Sequence, residues 1–245
     1  MHDQSPAPAS AVISPAPRLI LFDLDDTLCD YGAARAERLR LAFSLDLGSR
    51  PERAAPPTRR DLERMIADSV AMHPHGADHF PELFQRHGIV DPTAAEAAMA
   101  WYRTNRFHGL ALFADAVGAL QAVRRVRPAP SLGLVTNGPA DVQRPKVELL
   151  GIAPLVDFVL VSGEFGAWKP DPAIFAEALR LGGAAAPEAI FVGDSAEHDI
   201  AGAQAAGIRA VWINRPGRPW TEPAPPPDDE VPDLATLLAL LGVDE

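Results

Sequence analysis

The segment RLILFDLDDTLCD, residues 18–30, decides the fold of this chain. Its four apolar residues from Leu19 to Phe22 predict a short buried strand. That strand leads directly into three aspartates, Asp23, Asp25 and Asp26. Carboxylates placed so close together repel one another, and each raises the pKa of the others. A divalent cation would reverse that repulsion, and hard carboxylate oxygens with several retained waters suit Mg²⁺.

The composition limits the classes of protein that the chain can belong to. Its 245 residues are 47% hydrophobic, enough for one large domain or for a domain with a substantial insertion. The formal net charge of -11 argues against nucleic acid or an anionic membrane as the main partner. Cys29 is the single cysteine, so no internal disulfide can form, which fits a reducing compartment.

The beginning of the chain carries no pattern of a secretion signal. Residues 1–17 have no basic segment followed by an apolar one, and we expect them to form a disordered polar tail. Apolar runs long enough to span a membrane are also missing from the sequence. These observations favour a soluble cytoplasmic protein. The sequence does not indicate the oligomeric state, and we expect a monomer or a homodimer.

Apolar runs and helical patterns alternate along most of the chain. Besides the first strand, four runs predict buried strands: Leu132–Thr136, Phe158–Ser162, Ala189–Val192 and Ala210–Ile213. Helical patterns follow the later runs, which predicts an α/β fold with a five-stranded parallel sheet covered on both faces. Residues 216–232 are rich in proline and predict an extended connection to a last short helix.

The interval after the first strand differs from the rest. Residues 31–111 contain no convincing strand pattern, but several stretches have helical spacing, among them RDLERMIADSVAM at 60–72. We therefore expect residues 31–111 to form an inserted helical domain. The core domain would then comprise residues 18–30 and 112–245.

Polar residues follow four of the predicted strands. Asp23 follows the first strand and Thr136 ends the second, while Lys169 and Asp194 come shortly after the third and fourth. In a parallel α/β sheet the carboxyl ends of the strands meet at one edge, where ligands bind. A lysine and backbone N–H groups at that edge suit a phosphate, and the carboxylates suit a metal ion.

Four short motifs give the sequence a family resemblance. The segments DLDDTL (23–28), VTNG (135–138), KPDPAIF (169–175) and GDSAEHDI (193–200) resemble, in order, the four motifs of the haloacid dehalogenase-like (HAD) hydrolase superfamily. The helical insertion resembles the all-helical cap domain of that superfamily. The resemblance implies a Rossmann-like core and a Mg²⁺-dependent phosphatase acting on a small phosphorylated metabolite. The sequence looks most like small-metabolite phosphatases such as phosphoglycolate, N-acylneuraminate-phosphate and nucleotide phosphatases.

The resemblance also implies a role for the residues of the first motif. Asp23 would be the nucleophile that attacks phosphorus and becomes an aspartyl phosphate. Asp25 would protonate the leaving oxygen and then act as the base that activates water, and its backbone carbonyl would ligate Mg²⁺. Asp26 and Thr27 would have a structural role in the turn.

The other three motifs would supply the phosphate and metal ligands. Thr136 would hold the phosphoryl group through its hydroxyl, assisted by the backbone N–H of Asn137. Lys169 would neutralise negative charge on the nucleophile and the phosphate. Asp194 would ligate Mg²⁺ together with Asp23, and Asp199 would support the metal directly or through water. An exposed, non-functional charge in a first helical turn is the alternative for Asp199.

Other functions of the same fold stay open at this stage. A haloacid dehalogenase needs the nucleophile but neither the metal nor Asp25, so the presence of Asp25 argues against it. A phosphomutase keeps both aspartates but usually has glycine and valine where this chain has Asp26 and Thr27. A non-catalytic binding protein would be expected to lose Asp23, Lys169 or Asp194.

Several residues outside the motifs have an open role. His73, His75 and His79 lie close together in the insertion, but Pro74 and Gly76 indicate a loop without the fixed geometry of a metal site. Arg103, Arg106 and His108 lie where the insertion returns to the core, and they either contact substrate or lie on an ordinary solvated helix. Lys146 is interpreted as a surface helix residue. Cys29 has no feature except its position to indicate a reactive role.

Overall fold

The structure is a computed structural model that describes residues 12–44, 58–72, 79–89 and 92–243. The chain divides into two compact units. The first comprises residues 1–30 together with 111–245, and the second comprises residues 31–110. We call them the core unit and the helical unit.

The core unit contains a parallel sheet of six strands. Their spatial order is β3-β2-β1-β4-β5-β6, and every neighbouring pair is parallel. The strands are β1 (Leu19–Phe22), β2 (Ser131–Thr136), β3 (Phe158–Val161), β4 (Ala189–Gly193), β5 (Arg209–Ile213) and β6 (Asp229–Val231).

Strand β1 lies at the centre of the sheet and explains the apolar run that precedes the aspartates. All four of its residues are buried, as expected for a parallel strand that is covered on both faces. Leu19 pairs with Ser131 of β2 on one side and with Ala189 of β4 on the other. The strand order reverses around β1, so its carboxyl end opens into the crevice where α/β sheets bind ligands.

Six α-helices accompany the sheet in the described part of the core unit. Helix α8 is well capped at both ends: Asp171 accepts a hydrogen bond from the Ala173 N–H at 2.8 Å, Pro172 is the first helical residue, and Gly183 follows the last one at a φ of 63°. The six are α5 (Ala116–Arg125), α6 (Ala140–Leu149), α7 (Ser162–Phe165), α8 (Pro172–Gly182), α9 (Gly202–Ala205) and α10 (Leu234–Leu240).

The described residues of the helical unit form helices and no strand. Phe43, Phe80 and Phe84 pack edge-on in its apolar core, with ring centroids 5.6–6.4 Å apart. Helix α2 begins with a capping box, in which Thr58 and Asp61 each accept the other's backbone N–H. The helices are α1 (Tyr31–Ser44), α2 (Arg59–Ala71), α3 (His79–Arg86) and α4 (Pro92–Thr104).

The structure corrects two expectations about the core unit. The sheet has a sixth strand, β6, inside the proline-rich segment that was predicted to be an extended connection only. Three residues are enough to form this strand, because β6 lies at the edge of the sheet and pairs with β5 alone. The prediction of a disordered tail through residue 17 is wrong for Ile13, which is buried and whose N–H donates to Leu240 O at 2.9 Å.

The described part of the chain contains no helix that combines the length and the apolar character needed to cross a bilayer.

Candidate active site

Lys169 joins two of the predicted site residues in the core unit. Its Nζ lies 2.6 Å from Asp23 Oδ1 and 2.6 Å from Asp199 Oδ1. All three side chains are buried, with at most 9% of any of them exposed. The motifs that contain these residues are distant in sequence, and the parallel sheet brings them together at the carboxyl ends of β1 and β4.

Asp194 completes a group of three carboxylates. One oxygen each from Asp23, Asp194 and Asp199 lies within 4.8 Å of the others. Asp194 follows β4 directly, and a π-helical turn at Ala196–Ala201 then carries Asp199 back towards the strand. Turns of this kind occur frequently at functional sites. The exposed position considered for Asp199 is wrong, because this residue is only 1% exposed.

The pKa values of this group show an excess of negative charge. Burial raises the pKa of Asp23 to about 7, with the charges of Asp199 and Asp25 adding to the effect and Lys169 opposing it. Burial also raises the pKa of Asp194 to about 9, assisted by the charges of Asp23 and Asp199. Burial alone would lower the pKa of Lys169, but the two carboxylates that it contacts raise it above its ordinary value. One buried ammonium therefore does not balance the three carboxylates.

The end of β2 supplies Thr136 and Asn137. Thr136 is buried, and its Oγ1 accepts a short hydrogen bond from the side-chain amide of Gln143. Asn137 clamps the Lys169 backbone: its Oδ1 accepts from Lys169 N, and its Nδ2 donates to Lys169 O, both at 2.9 Å. Asn137 thus positions the lysine segment, a role of its side chain that the sequence did not indicate.

Asp25 pairs with Lys146 of helix α6. The Nζ of Lys146 is 2.8 Å from Asp25 Oδ1 and 2.7 Å from Asp25 Oδ2. Gln143, one helical turn earlier on α6, lies with its Nε2 3.4 Å from Asp25 Oδ2. The interpretation of Lys146 as a surface residue is wrong, since it is only 3% exposed.

Sequence reasoning missed both Gln143 and Lys146, because an isolated helix gives no indication of the face that a distant strand will cover. One signal was nevertheless present. The chain has twenty arginines but only two lysines, Lys146 and Lys169. Both are buried, and each is paired with an aspartate of the first motif.

A turn at residues 26–28 follows Asp25, and a β-bridge joins Asp25 to Cys29 across it. Asp26 has a φ of 58°, in the left-handed region that aspartate tolerates better than most residues, and its N–H donates to Cys29 O at 2.8 Å. Thr27 is fully buried, and its hydroxyl has no hydrogen-bond partner among the described residues. Burial raises the pKa of the Cys29 thiol, assisted by the charge of Asp25, so this cysteine lacks the thiolate character of a reactive one.

The remaining candidates lie in the helical unit. His73 and His75 fall outside the described residues, while His79 is buried, with its Nε2 2.8 Å from Ser69 Oγ. The side chains of Arg103, Arg106 and His108 are all exposed. Helix α4 ends at Thr104, so only Arg103 of these three belongs to it.

Comparison with known proteins establishes the family. Residues 17–207 match the model of the haloacid dehalogenase-like hydrolases, and the chain belongs to this family of hydrolases. It is 34% identical to glyceraldehyde 3-phosphate phosphatase of Methanopyrus kandleri, over 89% of this chain and 91% of that protein. It is 29% identical to N-acylneuraminate-9-phosphatase of Homo sapiens, over 91% of this chain and 93% of that protein.

A solved structure agrees with the fold. The HAD hydrolase YfnB of Bacillus subtilis, determined with magnesium bound, superposes with a TM-score of 0.76 at 24% identity. The match covers 93% of this chain and 100% of that one. At this level of identity the likeness shows a shared fold.

Proposed function

We propose that the protein is a Mg²⁺-dependent phosphatase that hydrolyses a small phosphomonoester through an aspartyl phosphate. The observation that carries the proposal is the arrangement of Lys169 between Asp23 and Asp199, with Asp194 completing the carboxylate group. The phosphatase names of relatives that match over about nine-tenths of the chain support the same reaction class.

The donor set fits Mg²⁺. Three carboxylates supply hard oxygens, and the raised pKa values of Asp23 and Asp194 reflect negative charge that a cation would neutralise. Asp23, Asp194 and the backbone carbonyl of Asp25 are the proposed direct ligands. Asp199 already accepts Lys169 on Oδ1 and the Ser195 N–H on Oδ2, which favours support of the ion through water. The bound ion would screen the phosphate charge and stabilise the charge that develops during transfer.

Asp23 carries out the first step. Lys169 fixes its Oδ1, while Oδ2 has no hydrogen-bond partner among the described residues and is the attacking oxygen. The new bond joins Oδ2 to phosphorus, and the bond from phosphorus to the ester oxygen breaks. Asp25 in its acid form gives its proton to the leaving oxygen, which departs as an alcohol.

Asp25 acts again in the second step. As a carboxylate it takes a proton from water, whose oxygen attacks the phosphorus of the aspartyl phosphate. The bond between phosphorus and Asp23 breaks, so inorganic phosphate leaves and the Asp23 carboxylate is restored. Thr136 keeps its hydroxyl proton available for a phosphoryl oxygen because its Oγ1 accepts from Gln143, and Asn137 adds its backbone N–H.

The test measures phosphate release from p-nitrophenyl phosphate in the presence of Mg²⁺, after exhaustive chelation, and with the Asp23→Asn variant. We expect activity with Mg²⁺ only and a loss of at least about 10³-fold in the variant, because the attacking carboxylate is gone. Retained activity after chelation would contradict the metal role, and retained activity in Asp23→Asn would contradict the nucleophile. A panel of phosphorylated metabolites then identifies the substrate.

A further inference from the structure

Helix α6 brings a buried ammonium to Asp25, a residue that lies 121 positions earlier in the chain. The Nζ of Lys146 contacts both oxygens of the carboxylate at 2.7 and 2.8 Å, so the contact restrains the rotation of the carboxyl group as well as its position. The Lys146 side chain is 4% exposed, whereas that of Asp25 is 27% exposed. The lysine is therefore the anchored partner, and the aspartate faces the more open space.

Gln143 reinforces the same arrangement from the preceding turn of α6. Its Nε2 contacts Thr136 Oγ1, Asn137 O and, at 3.4 Å, Asp25 Oδ2. A Cβ placed on Gly138 would lie 2.6 Å from Gln143 Cγ, so the glycine makes room for this side chain. One helical face thus connects the end of β2 with the aspartate that follows β1.

The choice of lysine at position 146 is specific in this chain. Twenty of its 22 strongly basic residues are arginines, and the other lysine is Lys169, which contacts Asp23. A guanidinium carries five donors in a planar fork and needs several acceptors, whereas a compact ammonium places its charge at a point. The two lysines of this arginine-rich chain are the residues that contact Asp23 and Asp25.

We infer that Lys146 is a positioning residue, which holds the carboxylate of Asp25 where it can serve the reaction; this inference rests on the proposed function. The contact matters most in the second step, when Asp25 acts as a carboxylate and must be aimed at water. Loss of the ammonium leaves the Asp25 carboxylate only its longer contacts, with Gln143 Nε2 at 3.4 Å and with Cys29 Sγ at 3.5 Å. Misplacement of a catalytic group by about 1 Å can lower a rate by about 10²-fold.

A kinetic experiment on Lys146→Met separates positioning from general damage. p-Nitrophenolate is a good leaving group and needs little protonation, so the first step should survive without a positioned Asp25. We expect a burst of about one p-nitrophenolate per active site, then steady turnover slowed by about 10–100-fold. KM should fall by a similar factor and kcat/KM should change little, because kcat/KM depends on the first step alone. Asp25→Ala should show the same pattern, and the double variant should turn over no more slowly than Asp25→Ala alone.

The matched control is Arg144→Met, on the same helix. Arg144 pairs with Glu164 at 2.5 Å and lies outside the proposed machinery, so this change removes an α6 cation without touching Asp25. We expect near wild-type turnover. Two results would overturn the inference. One is that Lys146→Met slows the burst and the steady-state turnover equally. The other is that adding Lys146→Met to Asp25→Ala slows turnover by the same factor as Lys146→Met does in the wild type. An inactive wild type, or an active Asp23→Asn, would instead overturn the proposed function.

Nuclear magnetic resonance tests the contact without activity. Selective isotope labelling of lysine gives two sets of side-chain signals, one for each lysine, which Lys146→Met assigns. Asp25→Asn should shift the Lys146 signals strongly and those of Lys169 much less. Lys146 signals unchanged by Asp25→Asn would show that the contact is absent in solution and would overturn the inference even in an active enzyme.

Discussion

Three buried charged side chains of this site depend on one another for stability. Lys169 is the ammonium that contacts both Asp23 and Asp199, and all three groups are buried. Removal of one partner from a buried ion pair leaves uncompensated charge, which is more destabilising than the pair itself is stabilising. The stability of the core unit therefore depends on the same side chains as the proposed chemistry.

Lys169→Met tests this dependence. We expect the metal-free protein at about pH 8 to lose about 3–5 kcal/mol of unfolding free energy, because two buried carboxylates lose their cation. Urea denaturation followed by circular dichroism measures the loss. Lys146→Met is the matched control, since its partner Asp25 is partly exposed to water and the loss should be smaller. Equal losses in both variants would contradict the argument.

The raised pKa values predict a pH dependence of stability. The carboxyls of Asp23 and Asp194 titrate at about 7 and about 9 in the folded protein, and near 4 when unfolded, so the folded state holds these protons more tightly. The contribution of these two carboxyl groups to the free energy of unfolding is fully present below about pH 4, and it is lost as the pH rises through about 7 and about 9. Under the proposed function Mg²⁺ would replace those protons, so its stabilising effect should grow over the same interval.

Thermal unfolding with Mg²⁺ and with chelator checks this prediction at about pH 5.5 and about pH 8.5. The difference in Tm between the two conditions should be clearly larger at the higher pH. Carboxyl groups elsewhere affect both conditions equally and cancel in the difference. Asp194→Asn should make the difference small at both pH values. A wild-type difference that is the same at both would refute the linkage.

Close packing at the level of elements also determines the site geometry. Strand β4 ends in Gly193, and the π-helical turn that follows places Asp199 against it. A Cβ on Gly193 would lie 2.5 Å from both Cβ and Cγ of Asp199, closer than real atoms approach. The strand and the turn can therefore hold Asp199 beside Lys169 only because residue 193 has no side chain.

Gly193→Ala should displace Asp199 and so weaken both its contact with Lys169 and Mg²⁺ binding. We expect a loss of about 1–3 kcal/mol in stability, typical of overpacking, together with a rise in the Mg²⁺ concentration needed for half-activation. Gly182→Ala is the control, because its Cβ would meet Leu19 Cδ2 at 2.5 Å in the apolar core. It should lose stability with an unchanged Mg²⁺ requirement. An unchanged requirement in Gly193→Ala as well would exclude this role of the glycine.

The helices and strands differ in how far the sequence alone predicted them and their contacts. The α/β class and five of the strands could be predicted from apolar runs. The carboxyl ends of parallel strands share one edge of the sheet regardless of the loops between them, so Asp23, Thr136 and Lys169 could be predicted to lie together. The position of Lys146 could not be predicted, because its contact with Asp25 depends on how α6 packs against a turn that is distant in sequence. Strand β6 was missed because three residues in a proline-rich segment carry no periodic pattern.

The whole molecule consists of two units with separate apolar cores. All residues of the proposed chemistry belong to the core unit. The helical unit interrupts the chain between Asp30 and Ala111, directly after the first motif. We expect this unit to act as the cap that sets substrate selectivity, in keeping with the resemblance of the insertion to a helical cap. Arg103, Arg106 and His108 are its exposed basic candidates, at the end of α4 and just after it.

Alanine variants of Arg103, Arg106 and His108 test this assignment. Each is assayed on the best metabolite from the panel and on p-nitrophenyl phosphate, a small substrate that needs few contacts beyond the phosphate. We expect at least one variant to lose about tenfold or more in kcat/KM on the metabolite with little change on the small substrate, because contacts remote from the reacting bond contribute to substrate discrimination. Arg59→Ala, another exposed arginine of the helical unit, in the first turn of α2, controls for the loss of surface charge. Parallel losses on both substrates in all three variants would show that this segment is ordinary surface, and that selectivity is determined by other residues.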